Sequence, residues 1–357
     1  LAERQLNMRE VARLAEVSVA TVSRALREPD KVSDDTRARV NGAAAQLGYI
    51  YNAVAGDIST GRSTVIGVLV PAASNALFAE TLHSIQDVAM AAGHSTIQGA
   101  TRYDEAIEGK LIDTLLQRRV KGLVLTGLTY GQEARIAQLA TASDVRIVIT
   151  WEKPPVDTGS ISYVGFDNRK ASELAVRHLI ELGHTRIGLI VGPYSRIART
   201  RHRLDGYRDA LDAAGIAFDP SLVLERLPEP VEGREAMEAL LAQEEPPTGV
   251  FAASDMLAFG ALRALHAAGL DVPSDVSLVG FDDVDLAAYT HPPLTTVRVD
   301  AARIGRLAAQ ILIDPAEARS RHYCLDCDLV IRGSTGPVRS GPLRGRHTEI
   351  KLGGIPS

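Results

Sequence analysis

From Val65 onward, short runs rich in Val, Ile and Leu alternate with stretches whose apolar residues recur every three or four positions. The first pair is the run Val65–Val70 and a helical pattern over residues 78–92. Further runs cover residues 122–126, 146–150, 186–191, 249–253 and 276–281, with helical patterns between them. Strand and helix in alternation predict α/β architecture, with parallel sheets covered by helices on both faces. A Pro- and Gly-bearing segment at residues 154–160 and a later break at His291-Pro292-Pro293 divide the series in two. We read two similar lobes facing a cleft, lobe 1 over about 64–160 and 292–322 and lobe 2 over about 161–291 and 323–336.

Residues before Gly61 follow a different rule, with helical patterns over 8–15, 18–26 and 34–47 and no strand. A separate helical module over 1–51 is predicted. Ser33 is placed to cap its third helix, Asp34 and Asp35 suit the first turn, and Gly48 supplies the left-handed residue that ends it. A linker over 52–63 joins the module to a core over 64–336. Residues 337–357 are rich in Gly and Pro without apolar periodicity and are expected to form a disordered tail.

Composition narrows the class. A low aromatic content of 4% leaves a core of Ala, Val, Leu and Ile, the usual material of helices packed on parallel strands. Two cysteines cannot build a disulfide framework, no apolar run of about 18 residues suggests a membrane span, and no signal segment is seen. A cytoplasmic protein is expected. The net charge of −5 excludes a wholly basic coat but not a small nucleic-acid-binding module.

Residues 9–26 place a helix, a tight break at Glu16-Val17 and a second helix starting at Ser18, with Val11, Leu14, Val22 and Leu26 spaced to share one core. This is helix-turn-helix spacing. The second helix turns Val19, Ala20, Thr21, Ser23 and Arg24 away from that core. Arg24 suits bidentate reading of a guanine edge, Ser18, Thr21 and Ser23 suit phosphates at a helix start, and Val19 and Ala20 suit thymine methyls. An ordinary three-helix bundle fits the composition equally, since residues 1–51 carry 8 basic and 7 acidic side chains.

The residue order over 11–26 closely resembles the DNA-binding headpiece of the lactose/galactose repressor family. Val32-Ser33, Thr36-Arg37, Leu47-Gly48-Tyr49 and Asn52 stand at that family's spacing. So do Ile66-Gly67-Val68, Val164-Gly165-Phe166-Asp167-Asn168, Leu182-Gly183-His184, Arg203-Leu204-Asp205-Gly206-Tyr207, Val279-Gly280-Phe281-Asp282-Asp283 and Leu294-Thr295-Thr296-Val297. The resemblance runs from about Met8 to Ser334. It implies an N-terminal headpiece and a two-lobed core like that of periplasmic binding proteins. It also implies a hinge helix in the minor groove, with Asn52, Ala53, Val54 and Ala55 in the hinge pattern and Ile58 as the apolar lever. Gly56 stands where the family usually has Arg, Asp57 adds a negative charge, and Glu16 replaces a common Gly.

The same resemblance implies that Phe78, Thr126, Asp167, Arg203, Ser254 and Asp282 line the cleft and bind a small molecule. Chemically, Asp167 and Asp282 accept from hydroxyls, Arg203 donates in a fork and Phe78 offers a ring face. Each has a plainer role available: Asp282 caps a turn, Phe78 joins the core. Arg196, Arg199, Arg201 and Arg203 form either a basic wall for a carboxylate or phosphate, or a solvated helix face. The runs after Pro71 and over 164–168 are most similar to members that sense gluconate-type sugar acids, so a sugar or sugar acid is the expected effector.

No phosphate-binding, dinucleotide, nucleophile-elbow or zinc-protease motif occurs, so neither an enzyme, a cofactor nor a metal is expected. Cys324-Leu325-Asp326-Cys327 is a single C-x-x-C leading into a strand-like run, and His184 belongs to a turn. The expectation is a homodimeric transcriptional repressor on near-palindromic double-stranded DNA, released or held by a metabolite. A transport-type sugar-binding protein and a sugar-acting enzyme are the rivals.

Overall fold

The computed structural model describes residues 7–51, 63–142, 144–314 and 321–339. The chain divides into two compact units, residues 1–64 and 65–357.

In the first unit, α1 (Met8–Leu14), α2 (Val19–Arg27) and α3 (Asp34–Leu47) each begin on a side-chain cap. Asn7 accepts from the amides of Arg9 and Glu10 while Glu10 takes the Asn7 amide, a reciprocal box that satisfies donors no helix can satisfy internally. Ser18 and Ser33 accept from the amides of Thr21 and Thr36 at 3.0 and 3.4 Å. Gly48 ends α3 at φ 64°. The core is Val11, Ala12, Ala15, Val22, Ala25, Val40, Ala43 and Ala44, small residues that let three short helices approach closely. Leu14, expected in that core, is 42% exposed. The buried stripe of α1 runs through positions 11, 12 and 15, and at about 100° per residue Leu14 falls on its flank, roughly 100° from the stripe's centre.

The second unit holds twelve strands and eight helices among the described residues. One six-stranded sheet has the order β11 (His322–Leu325), β5 (Ser162–Phe166), β4 (Arg146–Thr150), β3 (Gly122–Thr126), β1 (Val65–Val70), β2 (Ser95–Ala100), all parallel. The other has the order β12 (Asp328–Val330), β10 (Thr295–Arg298), β9 (Ser277–Asp282), β8 (Gly249–Ala252), β6 (Ile187–Val191), β7 (Val223–Glu225), with β12 antiparallel. Around the first sheet lie α4 (Ala76–Ala91), α5 (Glu105–Gln117), α6 (Glu133–Ala142) and α11 (Ala301–Ile313). Around the second lie α7 (Asn168–Glu181), α8 (Ala198–Ala213), α9 (Pro230–Leu241) and α10 (Asp255–Ala267).

The chain crosses between lobes three times: from β5 into α7, from β10 towards α11, and between β11 and β12. The expected divisions near 160, 291 and 322 therefore shift. β5 pairs with β4 in lobe 1, β10 lies beside β9 in lobe 2, and β11 belongs to lobe 1. Pro and Gly mark that the chain turns, not which sheet it rejoins. The edge strand β2 escapes an apolar-run reading because it carries polar residues on a half-exposed edge, and β7 because it is only three residues long. Cys324 and Cys327 flank the third crossing as free thiols. Burial pushes the Cys327 thiol up to about 12, which suppresses the reactive thiolate.

The expected tail starts too early. The Val338 amide donates to the Leu182 carbonyl at 2.9 Å, and Arg339 pairs with Asp275. Buried His184 explains the anchoring, with Nδ1 on Thr248 Oγ1 at 3.0 Å and Nε2 on the Gly336 carbonyl at 3.1 Å. Residues 340–357, and the hinge residues Asn52 and Ile58 with 53–57, lie outside the described residues.

Candidate functional site

Two surfaces carry candidate chemistry. On α2, Val22 and Ala25 are buried, whereas Ser18, Val19, Ala20 and Arg24 are exposed and Thr21 and Ser23 half-exposed. None of the six headpiece residues marked for DNA is buried. Ser18 Oγ lies 2.8 Å from Thr21 Oγ1 as well as holding the Thr21 amide, so both hydroxyls fix the helix start. Val19 is 41% exposed, an apolar side chain left without a partner in this unit's core. Glu16 adopts φ 54° in the turn before α2, the left-handed conformation a Gly would adopt without strain.

The second surface is the cleft between the lobes of the core unit. A small cavity of about 30 Å³ there is lined by Phe78, Arg203, Ser254 and Asp282, four of the six expected ligand residues. Asn75, Tyr103, Trp151, Arg199 and Pro228 also line it. Lobe 1 contributes Phe78 from the first turn of α4, which Asn75 caps through the Leu77 amide at 3.0 Å. The Phe78 ring meets Trp151 edge-on at 5.6 Å. Lobe 2 contributes Arg199 and Arg203 from α8, Ser254 from the cap of α10 and Asp282 from the last residue of β9.

Arg203 is fully enclosed. Its Nε donates to Asn168 Oδ1 at 2.9 Å and its Nη1 to the Ala253 carbonyl at 2.7 Å, and the guanidinium lies 3.8 Å from the centre of the Phe281 ring. Asp282 Oδ2 accepts from Ser254 Oγ at 3.2 Å. Its Oδ1 stands 3.9 Å from Arg203 Nη1, too far for a hydrogen bond, and is a buried atom with no donor. Burial outweighs Arg203 and pushes the Asp282 carboxyl up to about 6, while burial draws Arg203 down to about 10. Asp282 also holds φ 120°, a conformation that favours glycine. A half-satisfied carboxylate beside a fixed guanidinium can accept one further hydrogen bond.

The remaining expected residues fall elsewhere. Thr126 lines an adjoining cavity of about 10 Å³ with Tyr103, Glu108, Thr129 and Arg199. Asp167 caps α7 through the Lys170 amide at 3.2 Å and pairs with Lys153 at 2.7 Å. It borders a separate opening of about 700 Å³ with Glu152, Tyr163 and His202, so it does not join Asp282. The arginine cluster divides by helical periodicity. Arg199 and Arg203, four apart, point inward, while Arg196 is exposed and Arg201 pairs with Asp205 on the outer face. Tyr103 and Trp151, absent from the expected set, hold φ 58° and 70°, which no apolar pattern announces.

Residues 7–52 match bacterial regulatory proteins of the lacI family, and residues 176–335 match a periplasmic binding protein-like domain. The chain is 36% identical over 336 residues to the HTH-type transcriptional repressor CytR of Escherichia coli K12, spanning 93% of this chain and 97% of that protein. It belongs to the lacI family. PurR, an HTH-type transcriptional repressor of Haemophilus influenzae, is 35% identical over 308 residues, 86% of this chain and 90% of that protein. The lac repressor dimer bound to operator and the anti-inducer ONPF superposes with a TM-score of 0.79 at 29% identity, over 93% of this chain and 100% of that one. The transcriptional regulator CelR in complex with cellobiose does so with a TM-score of 0.67 at 30% identity, over 92% and 100%. This lacI-family member is a DNA-binding transcriptional repressor with an effector-binding core, not an enzyme. Among the described residues no helix is long and apolar enough to cross a membrane.

Proposed function

We propose that the outward face of α2, with Ser18, Val19, Ala20, Thr21, Ser23 and Arg24, reads one half-site of a near-palindromic operator, two copies of the chain reading both. One short helix reads too few base pairs alone, and two-fold DNA calls for a two-fold protein. Asn52 and Ile58 extend the contact into the minor groove. A protein working on chromosomal DNA in this way acts in the cytoplasm.

The effector is a sugar or sugar acid held between Arg203, Ser254 and Asp282, with Phe78 and Trp151 against its apolar face. The carrying observation is the buried, donorless Oδ1 of Asp282 beside Arg203. The charged groups lining the cavity are Arg199, Arg203 and Asp282, a cationic balance that favours an acid. A space of about 30 Å³ holds no sugar, so the lobes must part for entry. Effector and operator then favour different lobe arrangements, with a coupling of about 1–3 kcal/mol.

Thermal unfolding across a panel of sugars and sugar acids tests the reading. One compound at a hundredfold excess over its Kd should stabilise the core by about 2.7 kcal/mol. Asp282→Ala should abolish that gain. A gain that survives in Asp282→Ala would move the ligand to another site.

A further inference from the structure

The two lobes are joined across the cleft by a second set of contacts, away from the three crossings. The Tyr130 amide of lobe 1 donates to the Arg196 carbonyl of lobe 2 at 2.8 Å, and the Ala198 amide returns to the Leu128 carbonyl at 3.4 Å. Thr129 and Ile197 thereby form an isolated antiparallel bridge. Immediately beyond it, Arg199 reaches from the first turn of α8 into lobe 1. Its Nη1 donates to the Thr126 carbonyl at the end of β3 at 3.0 Å, and its guanidinium carbon lies 5.9 Å from the centres of both the Phe78 and Tyr103 rings.

The lobe 1 side is shaped to admit this side chain. Gly127, at φ 73°, follows the accepting carbonyl, and a Cβ there would lie 2.1 Å from Arg199 Nη1. Glu152 Oε1 accepts from the Leu128 amide at 3.0 Å and holds the loop segment that carries the bridge. Arg199 is a buried guanidinium on lobe 2 that hydrogen-bonds and stacks on lobe 1, while its charge also acts on Asp282 and Arg203 of its own lobe. The bonds it makes exist only while the lobes are together.

We propose that Arg199 is a cross-lobe clasp, a positioning residue that holds the cleft shut over Arg203 and Asp282 before any effector arrives. Opening the cleft breaks the bond to Thr126 and withdraws the guanidinium from both rings. The clasp thus sets how often the effector-binding residues are accessible. The inference rests on the cleft being the effector site, but its test requires no effector, so the two can fail separately.

Trp151 is the chain's single tryptophan, 1% exposed and lining the cleft, and it reports opening directly. Acrylamide quenching of the full-length protein should rise several-fold, with emission shifted to the red, in Arg199→Met. That substitution keeps the packed stem and removes the guanidinium. Gly127→Ala, which displaces the guanidinium from the other side, should do the same. Both should keep a cooperative thermal transition, and Arg201→Ala on the outer face of α8 should quench like the parent. Parental quenching in a folded Arg199→Met overturns the proposal. So does an equal rise in Arg201→Ala, or loss of the cooperative transition in both clasp variants, which would make the contact part of the fold.

Discussion

The headpiece and the cleft meet their polar requirements in opposite ways. In the headpiece none of the six marked side chains is buried, and its caps bond within three residues of themselves. In the cleft, Arg203 bonds to residues 35 and 50 positions away, and Asp282 keeps one oxygen unsatisfied. Apart from the Ser18 cap, an exposed reading face carries little folding penalty when a side chain is removed. A buried binding face does, because each group there stabilises another.

Truncating each site separates the two regimes. Arg203→Ala strands the Asp282 carboxylate and should cost about 3–5 kcal/mol of core stability in urea unfolding, along with the effector response. A loss below about 1 kcal/mol would place the pair in the exposed regime. The acid limb of the stability curve probes the same carboxyl. Because the folded pKa of Asp282 is raised to about 6 by burial, its contribution is full below the ordinary aspartate value of 3.8 and is lost as pH climbs through about 6. Asp282→Asn should flatten that fall by on the order of 3 kcal/mol, read from urea midpoints between those pH values. An unchanged slope would assign it to other groups.

Arg24→Ala is the headpiece counterpart of the arginine truncation. It should cost about 1–3 kcal/mol of operator binding and relax base preference at one position per half-site. Core unfolding should stay within about 0.5 kcal/mol of the parent. Uniform weakening on random duplexes would reassign Arg24 to a phosphate. Ser18→Ala, which removes the cap of α2, is expected to be the smallest of the four, about 1 kcal/mol of headpiece stability by thermal melting. A larger drop in operator affinity than in stability would show that the hydroxyl also touches DNA.

What could be read from sequence follows the same division. The three headpiece helices, their caps and the outward residues of α2 are all set within a few positions along the chain, and periodicity exposed them. Leu14 was misplaced because its neighbours Ala12 and Ala15, small and unremarkable, define the buried stripe. Strand and helix alternation delivered the two α/β lobes. It could not say which sheet β5, β10 and β11 rejoin, since pairing partners lie far away in sequence. Phe78, Arg203, Ser254 and Asp282 came from family spacing and do meet in one cavity. Asp167, on the same grounds, is absorbed by a helix cap and Lys153. Arg199 was visible only as one of four arginines, because its role depends on a carbonyl 73 residues earlier.

The central claim is a linkage between the outward face of α2 and the cleft. It is tested most directly by selecting a duplex from a random pool with purified protein and titrating the winner, with and without each sugar and sugar acid, by fluorescence anisotropy. The account predicts a near-palindromic duplex whose affinity one compound changes roughly 5- to 150-fold, and no change in Arg203→Ala, which still binds the DNA. An enriched duplex whose affinity that compound changes equally in the parent and in Arg203→Ala would contradict it, as would the absence of any enriched sequence.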